Sequence, residues 1–183
     1  MKARREHWDT KWARVESINF SPAPLLVRYT DRLGGGRALD LACGPGRNAL
    51  WLAAQGYAVD AIDISAVGLE MGRAEAQRRG LVVNFIQADL DHYTLPVAAC
   101  DLVAVFHFLD RRLLPDIGAA LRPGGWLFYE TFNLRKRAFK PEMPLDYLLQ
   151  PGELEAAFAH LSVIETGHHP AQRTSFLVAR APE

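Results

Sequence analysis

The sequence predicts an α/β fold: a Rossmann-like, doubly wound and mostly parallel sheet that ends in a C-terminal antiparallel hairpin. After residue 37, strand-like and helix-like segments alternate at close spacing, as they do in parallel βαβ units. Several strand candidates are almost continuously apolar, as expected for strands that are covered on both faces. No helical pattern separates the last two candidates, so these two strands should pair antiparallel.

Seven segments carry strand patterns: residues 38–43, 58–64, 82–88, 101–106, 126–131, 162–166 and 174–180. Apolar stripes at helical spacing lie between them, and Ser65 and Gly80 supply a start and a stop for one such helix. The helix near residue 114 is expected to end at the Arg-Pro-Gly-Gly turn of residues 122–125. Residues 133–150 interrupt the alternation with two prolines and four basic side chains, which indicates an inserted loop. The loop either shapes a substrate site that receives an anionic acceptor or presents a solvated basic face.

The bulk composition restricts the possible classes of protein. A chain of 183 residues with 49% apolar and 23% charged residues is of a size and composition for one globular core. Lys and Arg together number 21, as do Asp and Glu, so the formal charge is zero. Without a net basic field, neither a nucleic-acid partner nor a membrane partner is expected. A monomer is the default expectation, with a dimer as the alternative.

The cysteines and the N-terminus favour a cytoplasmic protein. Cys43 and Cys100 have neither zinc-ligand spacing nor the pattern of a disulfide framework, so we expect free thiols in a reducing compartment. The first residues contain no apolar segment of the kind found in secretory signal peptides. The adjacent His168 and His169 lack helical i, i+4 spacing and a nearby carboxylate, so no metal site is predicted.

The most informative segment is residues 38–48, which reads as a buried strand, a glycine-rich turn and the start of a helix. Gly44 and Gly46 lack Cβ atoms and allow a sharp turn with close approach to a ligand. Together with Ala49 they fit the dinucleotide pattern G-x-G-x-x-G/A. Asp40 argues against a dinucleotide, because a carboxylate beside the turn would repel a diphosphate. A ligand with sulfonium and ammonium groups would be attracted instead, which points to S-adenosylmethionine (SAM).

The residues from Leu39 to Asn48 resemble motif I of class I SAM-dependent methyltransferases. Ala-Ile-Asp-Ile-Ser at 61–65 is similar to the second-strand motif of that family, and Ala-Asp-Leu at 88–90 to the third. Residues 121–127 resemble the turn before the fifth strand, and the terminal hairpin fits the sixth and seventh strands. Within the family, residues 46–56 most resemble the small tellurite-resistance-type (methyltransferase domain 25-like) branch. The resemblance covers residues 35–183 and implies a methyltransferase domain there, preceded by an N-terminal helical lid at residues 1–34.

The resemblance also implies a role for individual residues. Asp63 would accept hydrogen bonds from both ribose hydroxyls, and Asp89 would accept one from the adenine amino group. The full set expected to bind the cofactor is Asp40, Ala42, Gly44, Gly46, Asp63, Ile64, Asp89, Leu90, Phe106 and His107, with Trp12 of the lid. Asp40 and Asp63 have helix capping as an alternative role, and Asp91 is an alternative to Asp89. Trp8 is an alternative to Trp12, and a helix packing both tryptophans on the sheet is an alternative to a lid.

The acceptor side of the reaction is less defined by sequence. The fourth strand ends in Phe-His-Phe-Leu, which departs from the Asn/Asp-Pro-Pro-Tyr motif of enzymes that methylate exocyclic or amide nitrogens. His107 is the candidate catalytic base, and binding of a backbone carbonyl or lining of the SAM site is the alternative. Tyr129, Glu130, His168, His169 and Arg173 are candidate acceptor-pocket residues or parts of a solvated turn.

The function expected from these observations is transfer of a methyl group from SAM to a small-molecule acceptor by in-line displacement. The sequence does not decide whether the acceptor is a metalloid oxyanion, a thiol, a carboxylate or an amine. Two alternatives belong to other classes: a non-catalytic SAM-binding module, and an NAD-type oxidoreductase. The second would require a neutral strand end before the glycines and a separate catalytic set, which the sequence does not show.

Overall fold

A computed structural model of the protein describes residues 2–183, and it confirms the predicted fold class. The seven strands follow the order β3-β2-β1-β4-β5-β7-β6 in a mostly parallel sheet with antiparallel C-terminal strands. The chain divides into two compact units, the first ending at Thr94 and the second comprising Leu95–Glu183.

The first unit contains the glycine turn and three parallel strands. Its helices and strands are α1 (Lys2–Ala13), α2 (Pro24–Val27), β1 (Gly36–Leu41), α3 (Arg47–Ala54), β2 (Tyr57–Asp63), α4 (Ala66–Arg79) and β3 (Asn84–Gln87). Strand β1 pairs with β2, and β2 pairs with β3. Leu39, Leu41 and Ile62 are almost completely buried, and each such side chain stabilises the fold by about 1.5–3 kcal/mol. These contacts fix the carboxyl ends of β1 and β2 side by side.

The caps of α4 follow the prediction. The Ser65 hydroxyl accepts a hydrogen bond from the backbone N–H of Gly68 at 3.1 Å, as an N-cap should. Gly80 ends the helix in the left-handed conformation, with φ of 66°, which costs glycine no Cβ clash. The start of α4 is thereby placed directly after the end of β2.

The second unit carries four strands and an insert. Its main helices and strands are β4 (Cys100–Phe106), α5 (Leu114–Ala119), β5 (Leu121–Phe132), α6 (Glu153–Ala157), β6 (Ser162–His169) and β7 (Thr174–Arg180). Strand β4 pairs parallel with β5, β5 antiparallel with β7, and β6 antiparallel with β7. The predicted terminal hairpin is therefore confirmed. Phe128, Tyr129 and Phe158 are fully buried in this unit.

Two local predictions in this unit were wrong. The third predicted helix ends at Ala119, because Leu121 already begins β5. The Arg-Pro-Gly-Gly segment, expected as a turn before the strand, lies within the bounds of β5 as an irregular stretch, with a register shift against β4 between Cys100 and Leu102. Gly124 has φ of 73° there, so the chain bends without leaving the sheet.

The predicted insert contains two short 3-10 turns, Leu134–Ala138 and Leu145–Tyr147, and otherwise irregular backbone. The guanidinium of Arg111 holds the insert in place. It donates hydrogen bonds to the backbone carbonyls of Asp146 and Leu148 and to the Glu153 carboxylate. Among residues 2–183, no helix is both long and apolar enough to span a bilayer.

Candidate functional site

Asp40 lies at the carboxyl end of β1 and caps the helix that follows. Its Oδ2 accepts a hydrogen bond from the backbone N–H of Ala49 at 3.0 Å. The N-cap residue of α3 is Gly46, which has no side chain to accept that hydrogen bond, so the carboxylate of the strand takes this role. Asp40 therefore fixes the start of α3 relative to β1.

The charge of Asp40 is smaller than the sequence argument assumed. Burial raises the pKa of Asp40 to about 7, and the Ala49 hydrogen bond and Arg47 only partly oppose this shift, to which Asp63 also adds. The carboxyl group is 2% exposed. A carboxyl group with this pKa is partly protonated at neutral pH, so its repulsion of a diphosphate is weaker than predicted. The helix-capping role considered as an alternative for Asp40 is present in the structure.

The turn after β1 follows a backbone path that favours glycine. Gly44 and Gly46 have φ of 55° and 77°, and Ala42 takes φ of 53° despite its Cβ atom. A Cβ added to Gly46 would lie 2.7 Å from Cε1 of Phe85 on β3. The group that approaches Gly46 closely is therefore the Phe85 ring of the protein itself. A non-glycine residue in the left-handed region costs about 1–2 kcal/mol, which marks Ala42 as a strained residue at the candidate site.

Asp63 connects the end of β2 to the glycine turn. Its Oδ2 accepts from the Gly44 N–H at 2.7 Å, and its Oδ1 accepts from the Ser65 N–H at 2.8 Å. Burial raises the pKa of Asp63, and these two backbone hydrogen bonds partly oppose the shift. Each carboxylate oxygen has a second lone pair, so both oxygens can still accept a hydrogen bond from a ligand. Ile64 follows as a half-buried apolar residue.

Asp89 carries an unsatisfied polar atom. Its side chain is 6% exposed, and its Oδ2 has no hydrogen-bond partner among the described residues 2–183. Its Oδ1 accepts from the Asp91 N–H at 3.2 Å and lies 3.6 Å from the Arg4 guanidinium. Leu90 beside it is buried. A buried carboxylate oxygen without a partner is costly, so an external donor would stabilise this site.

Helix α1 contacts all three of these segments of the first unit. Trp12 packs against Gly44, since a Cβ at Gly44 would lie 2.8 Å from Cζ2 of the indole. Asp9 accepts from the Ser65 hydroxyl at 2.7 Å and from the Val67 N–H at 3.2 Å. Arg4 pairs with Asp91 at 3.0 Å, next to Asp89. The tryptophan at the turn is therefore Trp12.

Trp8, the alternative to Trp12, lies in contact with other residues of α1. The Lys11 ammonium lies 4.1 Å from the centroid of its ring, and His7 packs edge-on against it. Asp9 and Arg4 were not predicted from the sequence, because the helix alone offers no local signal for a partner more than 50 residues away.

The second unit contains Phe106 and His107 at the end of β4. Phe106 is buried, whereas His107 is exposed and has φ of 57°. The His107 N–H donates to the Glu130 carbonyl at 2.8 Å, and its ring stacks on Phe132 with centroids 4.9 Å apart. The positive φ marks His107 as a strained residue, and the stacking places its ring beside Phe132.

Two of the candidate acceptor-pocket residues, Tyr129 and Glu130, lie in different surroundings. Tyr129 is fully buried, donates its hydroxyl to the Phe108 carbonyl at 3.1 Å and packs on Phe158, so its assignment to a pocket was wrong. Burial also raises the pKa of Tyr129. Glu130 is buried, but it faces a different set of residues, which includes Thr174 and His169. Thr174 was missed, because a threonine at the start of a strand has no sequence signal for this contact.

The cysteines are free thiols, as expected. Burial raises the pKa of Cys43 well above its usual value, and the neighbouring Asp40 and Asp63 add to this shift. The side chain of Cys43 is therefore a neutral thiol at the glycine turn. Across residues 2–183, the structure holds no group of three or more His, Cys, Asp or Glu side chains that could bind a metal.

Residues 38–125, slightly less than half of the chain, match a family model for a methyltransferase domain. The chain is similar to that family over this segment, and its fold is similar to that of solved SAM-dependent methyltransferases. Among curated proteins it is similar to the ubiquinone biosynthesis O-methyltransferase of Coxiella burnetii, with 26% identity over 124 residues. This match covers 63% of the present chain and 53% of the relative, so the chain spans about half of that protein.

Solved structures show the same fold. TehB from Haemophilus influenzae superposes with a TM-score of 0.72 at 15% identity, over 97% of this chain and 67% of TehB. Geranyl diphosphate C-methyltransferase from Streptomyces coelicolor A3(2), in complex with S-adenosyl-L-homocysteine, gives a TM-score of 0.70 at 13% identity, over 86% of this chain and 75% of that one. The likeness to TehB agrees in fold with the tellurite-resistance-type branch that the sequence resembles.

Proposed function

We propose that this protein transfers a methyl group from SAM to a small-molecule acceptor. The observation that carries the proposal is the buried Oδ2 of Asp89, which has no hydrogen-bond partner in the part of the chain that the structure describes. It lies at the position for which the class resemblance implies contact with the adenine amino group, a donor that would satisfy it. When bound, SAM supplies an electrophilic methyl group on a sulfonium that needs no further activation.

The other residues of the first unit fit the same ligand. Asp63 has lone pairs left for the ribose diol after its hydrogen bonds to Gly44 and Ser65. Leu90 and Ile64 would supply apolar contacts to the adenine, and Ala42, Gly44 and Gly46 form the turn beside the methionine portion. Asp40 would act mainly by holding that turn at the start of α3, with a partial negative charge at neutral pH.

Helix α1 would serve as the lid over the bound cofactor. This assignment is supported by its contacts to the three segments expected to bind SAM, through Trp12, Asp9 and Arg4. Trp12 lies against Gly44, so ligand entry would require the indole to move. A lid of this kind excludes water and strengthens the electrostatic interactions below it.

Phe106 and His107 of the second unit would border the donor methyl group, as the class resemblance implies. The acceptor would be a small molecule. The formal charge of zero offers no general attraction for nucleic acid. A cytoplasmic location and a monomeric state are parts of the proposal that rest on the sequence.

Calorimetric titration tests the cofactor. S-adenosylhomocysteine should bind with one site per chain, and NAD should give no heat of binding. NAD binding without S-adenosylhomocysteine binding would establish the oxidoreductase alternative instead. Incubation with SAM and a panel of small acceptors then separates an enzyme from a binding module, because only an enzyme releases S-adenosylhomocysteine in an acceptor-dependent manner.

A further inference from the structure

The second unit contains a buried acid next to a histidine on one face of its antiparallel strands. Strand pairing places Phe132, Thr174 and His169 in one row across β5, β7 and β6, and Glu130 and Phe176 in the next row. Directly paired residues point to the same face of a sheet. These five side chains, which we call the Glu130 face, therefore lie together.

The carboxylate of Glu130 is held in place and directed at a histidine. Its Oε1 accepts from the Thr174 hydroxyl at 2.7 Å, and both residues are buried. Its Oε2 lies 3.9 Å from Nε2 of His169. The side chain of Glu130 is 8% exposed and that of His169 is 33% exposed. A ligand can thus reach the imidazole, while the carboxylate lies behind it.

The Glu130 face is also next to the residues expected to border the methyl donor. Glu130 is the direct register partner of Phe106 on β4, and its carbonyl accepts from the His107 N–H. The His107 ring stacks on Phe132. A molecule bound at this face would therefore lie beside the end of β4, where the proposed function requires the acceptor.

The chemistry of the face restricts the acceptor class. Two stacked ring pairs lie here: His107 on Phe132, and His169 on Phe176 with centroids 4.8 Å apart. Their aromatic surfaces suit a flat ring. The Lys136 ammonium lies 4.3 Å from the centroid of the Phe132 ring and would attract an acidic substituent. A histidine base helps only a nucleophile that arrives protonated, which is true of a phenol and not of a carboxylate.

We infer that His169 is the catalytic base for methylation of an aromatic hydroxyl, and that Glu130 is the residue that positions it; this inference rests on the proposed function. The Glu130 carboxylate faces Nε2 of His169 and favours the proton there, which leaves the lone pair on Nδ1. The acceptor hydroxyl gives its proton to Nδ1 of His169 while its oxygen forms the bond to the methyl carbon. The electron pair of the broken S–C bond stays on sulfur. The imidazolium is stabilised by the carboxylate of Glu130 and then releases its proton to water.

The test uses the full chain with 3,4-dihydroxybenzoate, a phenol that carries an anionic substituent. Wild-type protein should release S-adenosylhomocysteine from SAM when this probe is present. His169→Gln should lower kcat by about 100-fold or more, the range of general base catalysis, and should leave SAM affinity within twofold. His168→Gln is the matched control, because His168 lies on the opposite face, where its Nδ1 contacts the Ser175 hydroxyl at 2.9 Å.

Comparison of kcat with KM separates positioning from a merely structural role. Glu130→Gln keeps the size of the side chain and an oxygen that can accept from the Thr174 hydroxyl, but it removes the charge that stabilises the imidazolium. The folded variant should therefore lower kcat and leave KM and SAM affinity within twofold. The other charged groups near this face are Lys136, from the turn after β5, and Arg173, whose guanidinium lies 3.1 Å from the centroid of the Phe139 ring. Both remain in the variant. A folded Glu130→Gln variant with the kcat of wild type would overturn the positioning role.

Two further results would overturn the inference. One is His169→Gln with wild-type kcat, and the other is SAM binding in wild-type protein without methyl transfer to the phenol probe. Either leaves the proposed function intact, because SAM still binds. Failure of SAM to bind in the calorimeter would instead contradict the proposed function itself.

Discussion

The Oδ2 atom of Asp63 accepts a hydrogen bond from the backbone N–H of Gly44 at 2.7 Å, and this contact joins the end of β2 to the glycine turn after β1. The same carboxylate holds the Ser65 N–H through its other oxygen. One side chain therefore fixes two backbone segments that the proposed cofactor site needs. A change at Asp63 should affect both the shape of the turn and the ligand contacts.

Replacement of Asp63 by alanine should weaken SAM binding by about 1.5–3 kcal/mol, the range for hydrogen bonds to a charged group. Isothermal titration measures the affinity directly. Asp60→Ala is the matched control on the same strand, because Asp60 pairs with Arg37 at 2.8 Å and with Asn84 at 2.7 Å, away from the turn. Equal affinities for the Asp63 variant and wild type would show that Asp63 is not the ribose ligand.

Asp89→Asn should weaken binding of S-adenosylhomocysteine by about 1.5–3 kcal/mol, because an amide replaces a charged acceptor of the adenine amino group. The variant should lose less affinity for S-inosylhomocysteine. The base of this ligand carries an oxygen in place of the adenine amino group, and the new amide can donate a hydrogen bond to it. Asp91→Asn should change neither affinity by more than twofold. Competitive titration of the two nucleosides checks the preference, and an unchanged ratio would exclude the adenine contact.

Gly44→Val should abolish SAM binding while the protein stays folded. The added side chain meets the Trp12 indole at 2.8 Å and enters the surface proposed for the methionine portion. Gly80→Val is the control for backbone strain alone, since Gly80 has φ of 66° and no heavy atom within 4 Å of an added Cβ. Both variants should lose stability in thermal unfolding through backbone strain, and Gly44→Val should lose more, because only its added side chain meets another residue. Retained affinity in Gly44→Val would contradict the close-approach argument.

Trp12→Ala should accelerate release of S-adenosylhomocysteine if α1 is a lid, because the indole then no longer covers the turn. Trp8→Ala is the control on the same helix, since Trp8 contacts Lys11 and His7 of α1. Stopped-flow displacement measures the release rate, and a rate equal to that of wild type would mean that Trp12 only packs on the sheet.

Asp40→Asn should change how stability depends on pH. The pKa of Asp40 is about 7 in the folded protein, whereas its ordinary value is 3.8, so the folded state binds more protons between these values. The stability of wild-type protein should therefore fall as pH rises from about 4 to about 7, by up to about 4 kcal/mol from this group. Urea unfolding of wild type and variant across this range measures the difference. Parallel curves would mean that Asp40 ionises normally.

The local chemistry of the glycine turn was readable in the sequence because its signals lie within a few residues. Ser65 and Gly80 cap α4 as their neighbours predict, and the apolar runs of β2 and β4 are strands. The segment 122–125 was misread as a turn, because a bulged strand and a turn have the same proline and glycine content. Tyr129 was misassigned because strand alternation alone does not say which face is the core.

The sequence by itself determined the alternation of strands and helices, the terminal hairpin and the positions of the acidic residues that end β1 and β2, because periodicity and turn chemistry act over short distances. Only the tertiary structure decided that Asp40 is enclosed and has a raised pKa, that the buried Oδ2 of Asp89 lacks a partner within residues 2–183, and that Glu130 faces His169. Burial and pairing between distant strands set these properties, and the order of neighbouring residues predicts neither of them.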